Sequence, residues 1–131
     1  MILDTSFVED VSRGDTDAVV TAERLSTQDV PERLSVMTLY ELYWGVGYVD
    51  TPTDEVDRLD AVLETKETYD ITAPIARKAG RIAGQLTRDG TPLNDPGDEL
   101  IAATGIVHDE PVLTRNVEHF DRIPGLRVET Y

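Results

Sequence analysis

Very short apolar runs, each running almost at once into a helix-forming stretch, constrain this chain more than any other feature. Ile2-Leu3 is the first, and residues 33–36, 68–71, 111–113 and 126–129 supply four more. Strands this short, with no long alternating pattern, suit a buried parallel sheet. Helices are expected between them: 5–12 and 16–27, broken near Gly14, with Ala18, Val19, Ala22 and Leu25 at helical spacing in the second. Pro31 then marks a break. Residues 38–47 follow as a helix capped by Thr38, and 54–65 as an amphipathic one carrying Val56, Leu59, Val62 and Leu63. Residues 74–88 form a helix with Pro74 in its first turn. A loop, DGTPLNDPGD, leads to a helix over 99–108 with Leu100, Ile101, Ala103, Thr104 and Val107 on its apolar face; 116–120 is a short helix or loop. The alternation predicts an α/β fold, a short-stranded and mainly parallel sheet with helices on both faces. With no internal repeat and no dividing linker, residues 1–131 are expected to form one domain.

Composition removes several classes of function. There is no cysteine, hence no disulfide framework, no cysteine-based zinc site and no thiol nucleophile. Asp4 interrupts the only early apolar run and no basic region precedes it, so no signal peptide is read; no apolar run reaches membrane-spanning length, and a cytoplasmic location is expected. The charge balance is extreme: 26 acidic residues against 12 basic ones, net −14, with Lys66 and Lys78 the only lysines. With 40% of the chain hydrophobic, disorder does not explain it. An acidic, lysine-poor surface resembles that of proteins from salt-loving organisms, where the Debye length falls to roughly 3 Å. In such a solvent a negative net charge does not exclude an anionic partner.

In open parallel sheets, function gathers at the carboxyl ends of the strands. The polar residues expected there are Asp4 after the first strand, Glu41 one turn into the helix after the second, Asp95 and Asp98 at the start of the helix after the Gly/Pro loop, and Thr114, Arg115 and Asn116 after PVL. Each has a plainer structural reading. Asp4 and Asp98 suit helix caps, Glu41 a helix-surface charge, and Asn116 a loop. Together they predict acids converging on one pocket, where they stay ionised side by side only around a cation. Hard oxygen donors with no histidine or cysteine expected nearby favour Mg²⁺ or Mn²⁺ over zinc. A metal site of that kind is suited to hydrolysing phosphodiesters.

Four segments in order, ILDTS, TLYELYWG, NDPGDELIAATG and VLTRNVEHFDRIPGLRVE, resemble the PIN-domain ribonucleases, and among them the VapC-type toxins of toxin–antitoxin pairs. The resemblance spans nearly the whole chain. It implies a three-layer α/β/α PIN-like fold and a metal-dependent endoribonuclease with Asp4, Glu41 and Asp98 holding Mg²⁺ or Mn²⁺, Asp98 being the acid of DELIAA. It also implies an RNA substrate, a homodimer and a cognate antitoxin. At the fourth acidic position the chain departs from the family's T-x-D: Asn116 stands in Thr114-Arg115-Asn116, keeping an oxygen donor without charge, and His119 replaces the usual acid before Phe120. Asp95 and Asp121 are the candidates to compensate.

Around this set, Ser6 is expected to hydrogen-bond a ligand carboxylate or a phosphate, Thr114 to orient the acids or to cap, and Arg115 either to hold a phosphate or to form a surface ion pair. His108 and His119 are assigned to packing or surface. Tyr40, Tyr43, Trp44 and Tyr48 are assigned to the core or a dimer interface ahead of base stacking. Two rival functions remain: a PIN-fold binding module that no longer cleaves, motivated by Asn116, and a receiver-type signalling domain. The second lacks its motif, since Asp70 does not close a strand and neither lysine ends one.

Overall fold

Ile2 and Leu3 form the central strand of a five-stranded sheet in the computed structural model, which describes residues 1–93 and 95–131; Asn94, in the expected Gly/Pro loop, lies outside the described residues. In chain order the elements are β1 (Ile2–Leu3), α1 (Thr5–Arg13), α2 (Thr16–Thr27), β2 (Arg33–Ser35), α3 (Val36–Tyr48), α4 (Thr53–Leu63), β3 (Glu67–Tyr69), α5 (Ala73–Arg88), α6 (Pro96–His108), β4 (Val112–Leu113), α7 (Val117–Phe120) and β5 (Val128–Glu129). The strands lie in the order β3-β2-β1-β4-β5 and every pairing is parallel, with Ile2 opposite Arg33 on one side and Val112 on the other.

Successive residues of a strand face opposite sides of its sheet. Ile2 and Val112 therefore pack with Ile75, Ile82, Ile101 and Phe120 from α5, α6 and α7. Leu3 and Leu113 pack with Phe7, Val8, Leu25, Leu42 and Leu59 from α1 to α4. Two apolar cores on one sheet give three layers, α/β/α. Burying each such side chain contributes about 1.5–3 kcal/mol. Gly105 lets α6 lie close on β4, because a Cβ there would come within 2.9 Å of the Glu110 carbonyl oxygen and 3.1 Å of Val112 Cγ2.

Two helices, α3 and α6, begin more than one residue earlier than the sequence predicts. In α3 the cap is Ser35, whose hydroxyl accepts from the Met37 N–H at 3.2 Å. Thr38 is buried inside the helix and donates to the Leu3 carbonyl at 3.4 Å. In α6 the cap is Asp95, accepting from the Gly97 N–H at 2.9 Å, with Pro96 at the first helical position. Asp98 is thereby released from capping and sits in the first turn. Val107, expected on the apolar face of α6, is exposed; small Ala102 is buried in its stead.

From β1 the chain builds β2 and β3 on one side, then crosses to β4 and β5 on the other. The reversal falls at β1/β4, and the crevice beyond the carboxyl ends of those strands is where such sheets bind ligands. At the opposite ends Arg33 pairs with Glu67 at 2.9 Å and Glu110 at 3.2 Å. Among the described residues no helix is long and apolar enough to cross a membrane.

Candidate active site

Asp4 occupies the N-cap position of α1, with extended backbone (φ −73°, ψ 158°), yet its side chain makes no capping hydrogen bond. Its carboxylate, 4% exposed, instead accepts from the Ser6 hydroxyl at 2.8 Å and the Thr114 hydroxyl at 2.7 Å. Both bonds fall on Oδ2. Thr114, directly after β4, also accepts from the Asn116 N–H at 2.9 Å. The neighbouring strand ends are thus stitched together through Asp4, and the cap reading of this residue gives way to an oriented carboxylate.

Glu41 projects from α3 toward the start of α6 and accepts a hydrogen bond from the Thr5 hydroxyl. A Cβ on Gly97 would lie 1.7 Å from Glu41 Oε1, so any side chain there would push Glu41 out of this position. That turn carries Asp98, whose Oδ2 lies 2.8 Å from Nδ1 of His119. The same ring nitrogen lies 2.7 Å from the Asn116 side-chain nitrogen. A ring nitrogen either donates or accepts, so with Asp98 ionised a proton on Nδ1 points at the carboxylate, and the Asn116 amide NH2 beside it is then a neighbour and not a hydrogen-bond partner of that nitrogen.

Asp4, Glu41, Asp95, Asp98 and Asn116 all line one cavity of about 860 Å³. Glu9 brings the carboxylates at its wall to five, and no arginine or lysine lines it among the described residues. Burial, then the charges of Asp95, Asp4 and Asp98, push the Glu41 carboxyl up to about 7 against the lowering effect of the Thr5 bond. Burial also raises Asp98, the His119 contact opposing it and Asp4 and Asp95 adding to it. The wall is thus short of positive charge. Its donors are hard oxygens, the set that Mg²⁺ or Mn²⁺ takes. Among the described residues no three acidic or histidine side chains are already closed into a metal cage.

A family model described as the PIN domain matches residues 1–126. The chain belongs to the PIN-domain family. This PIN domain is 32% identical to the tRNA(fMet)-specific endonuclease VapC of Salmonella typhimurium over 98 residues, 75% of this chain and 74% of that one. It is also 32% identical to Ribonuclease VapC19 of Mycobacterium tuberculosis over 126 residues, 96% of both chains. Among solved structures it resembles VapBC2 from Rickettsia felis bound to a DNA fragment from their promoter, with a TM-score of 0.87, 25% identity, and 99% and 97% of the two chains covered. It also resembles VapBC-5 from Mycobacterium tuberculosis, a member of the VapBC family of toxin–antitoxin systems, with a TM-score of 0.70, 26% identity, and 98% and 94% covered.

Several residues of the PIN domain stand apart from their sequence reading. His119 is no packing or surface residue: it touches Asp98 and Asn116, its position three residues after Asn116 placing the two side by side on one helical turn. His108 does pack, its ring stacked on Tyr69 at 3.7 Å. Asp95 lines the cavity, whereas Asp121 is exposed at the end of α7 and does not. Arg115 takes its ion-pair reading, held by Asp10 at 3.1 Å and Asp15 at 3.3 Å and lying over the Tyr131 ring. The α3 aromatics are not core: Tyr40, Tyr43, Trp44 and Tyr48 are all exposed. Their apolar character suggested burial, but α3 buries only Thr38 and Leu42 fully.

Proposed function

We propose that this chain is a metal-dependent endoribonuclease, the toxin of a toxin–antitoxin pair. The observation that carries the reading is the shared cavity at the carboxyl ends of β1, β2 and β4, walled by Asp4, Glu41 and Asp98 with no basic side chain among its described residues. The VapC relatives support the choice of RNA as substrate, and the VapBC neighbours support a cognate antitoxin. A homodimer belongs to the same proposal.

Asp4, Glu41 and Asp98 would hold a Mg²⁺ or Mn²⁺ ion, with Asn116 as a neutral oxygen donor beside them. When bound, such an ion lowers the pKa of a coordinated water and stabilises charge gathering on a scissile phosphate. The chain's own part is positioning. Ser6 and Thr114 fix one oxygen of Asp4, Thr5 fixes one oxygen of Glu41, and His119 fixes one oxygen of Asp98. Each carboxylate is left with a second oxygen for the cavity, and a preset rotamer spares the cost of ordering it at the moment of reaction.

Purified protein free of antitoxin, incubated with total RNA at high salt and with Mn²⁺, Mg²⁺ or chelator, tests the reading. Discrete fragments are expected with metal only, and none from Asp98→Asn. The neutral Asn116 keeps one alternative in view, a PIN-fold binding module. Intact RNA from folded wild-type protein in every metal would favour that module and overturn the nuclease.

A further inference from the structure

We propose that Tyr40 and Trp44 form a base-stacking platform for single-stranded RNA beside the carboxylate cluster, so that the substrate is gripped by its bases and not by its phosphates. The inference rests on the ribonuclease reading and adds to it how the substrate is held.

Tyr40, Trp44 and Tyr48 recur every four residues along α3 and so lie in one line on its surface. They are 62%, 57% and 74% exposed. Tyr40 and Trp44 line the same cavity as Asp4, Glu41 and Asp98, and Tyr40 directly precedes Glu41. Trp44 and Tyr48 are already parallel, ring centroids 4.8 Å apart with 10° between planes. Tyr43, off this line, is instead tied to Asp60 through its hydroxyl.

Charge decides what such a surface takes hold of. Nucleases commonly gather RNA with lysines and arginines on its phosphates. Here none of the twelve basic residues lines the cavity among the described residues, while five carboxylates do. Arg115, next to Asn116 in the chain, is spent on Asp10 and Asp15. A backbone entering this cavity meets no basic side chain. Every base nevertheless offers a flat π-face that stacks on an aromatic ring whatever the sequence. Exposed rings at the edge of the cluster supply that face where the phosphate grip is missing.

Trp44 is the only tryptophan, so its emission reports this position alone. Asp98→Asn protein in chelator is titrated with a short single-stranded RNA of mixed sequence and with an abasic ribose-phosphate chain of equal length, in dilute and in molar salt. The RNA is expected to quench Trp44, and the abasic chain to leave it unchanged. RNA affinity is expected to hold or rise from dilute to molar salt, because screening relieves the repulsion between the acidic protein and the RNA, where a phosphate-gripping protein loses affinity steeply. Placed in the same Asp98→Asn protein, Trp44→Ala is expected to weaken binding of a labelled RNA about tenfold or more, with Trp44→Phe restoring most of it. In the cleaving protein Trp44→Ala is expected to raise KM by that factor with a smaller change in kcat, and to melt close to wild type because the side chain is exposed. Equal quenching by the abasic chain, or unchanged affinity in Trp44→Ala, overturns the platform. Loss of self-association in Trp44→Ala with unchanged RNA affinity overturns it in favour of a second copy of the chain. Cleavage indifferent to Trp44 overturns this inference alone. RNA quenching in a protein that cuts nothing keeps the platform and overturns the nuclease.

Discussion

Two hydroxyls donate to the same oxygen of Asp4, Ser6 at 2.8 Å and Thr114 at 2.7 Å. Thr114→Val keeps the shape and removes one of them. Supporting bonds of this kind are worth about 10–100-fold in metal affinity or activity, so a loss in that range is expected in Mn²⁺ titration and cleavage, alongside only about 1 kcal/mol of stability. Full activity in Thr114→Val would show that Ser6 alone sets the carboxylate. Glu41 gives a pH signature. Its folded pKa, about 7, lies above the ordinary 4.5, so the folded state binds the proton more tightly than the unfolded chain. That stabilisation is complete below 4.5, is lost as pH rises through 7, and should return when divalent cation is added. In chelator, the melting temperature of wild type relative to Glu41→Gln is expected to fall across that window; parallel curves would refute it. Asp4 follows an apolar run and Asp98 opens a helix, but Glu41 sits inside α3, and the three are legible as one set only through the resemblance of their segments. His119 is not, since its meaning depends on a contact with Asp98, 21 residues earlier.

At the scale of the elements, the position of Glu41 against the first turn of α6 depends on one missing methyl group. Gly97→Ala would drive a Cβ into Glu41 Oε1. The expected result is a displaced Glu41 and metal affinity lowered at least about tenfold, with the helix itself hardly weakened, as alanine is a better helix former than glycine. Retained Mn²⁺ affinity in Gly97→Ala would mean that Glu41 swings aside freely. The order of the elements is legible, and the kind of all but α7, because Gly14, Pro31, Pro74 and the Gly/Pro loop punctuate clear apolar patterns. The first residue of α3 and of α6 is not. Ser35 and Thr38, like Asp95 and Asp98, are both good caps by type, and only the backbone chooses between them. The exposed aromatics of α3 defeat the same logic, since apolar character indicates burial only where a partner element arrives.

Across the whole molecule, 26 acids against 12 bases make self-repulsion the dominant long-range force. Screening shortens its range from about 10 Å at 0.1 M salt to about 3 Å at 1 M. The melting temperature is expected to climb by several degrees over that interval in KCl; a flat or falling curve would mean that local ion pairs already balance the surface. The sheet order adds a consequence in time. β1 is synthesised first yet is flanked by β4, and Asp4 meets the Thr114 hydroxyl only after 110 further residues have been joined. Asp98 and His119 are likewise late arrivals. A growing chain on the ribosome therefore carries its first acid with no pocket to put it in. A cell making this PIN domain does so beside the messenger and transfer RNAs that translate it, and its pocket acids stay scattered until α6 and α7 have followed β1 out of the ribosome.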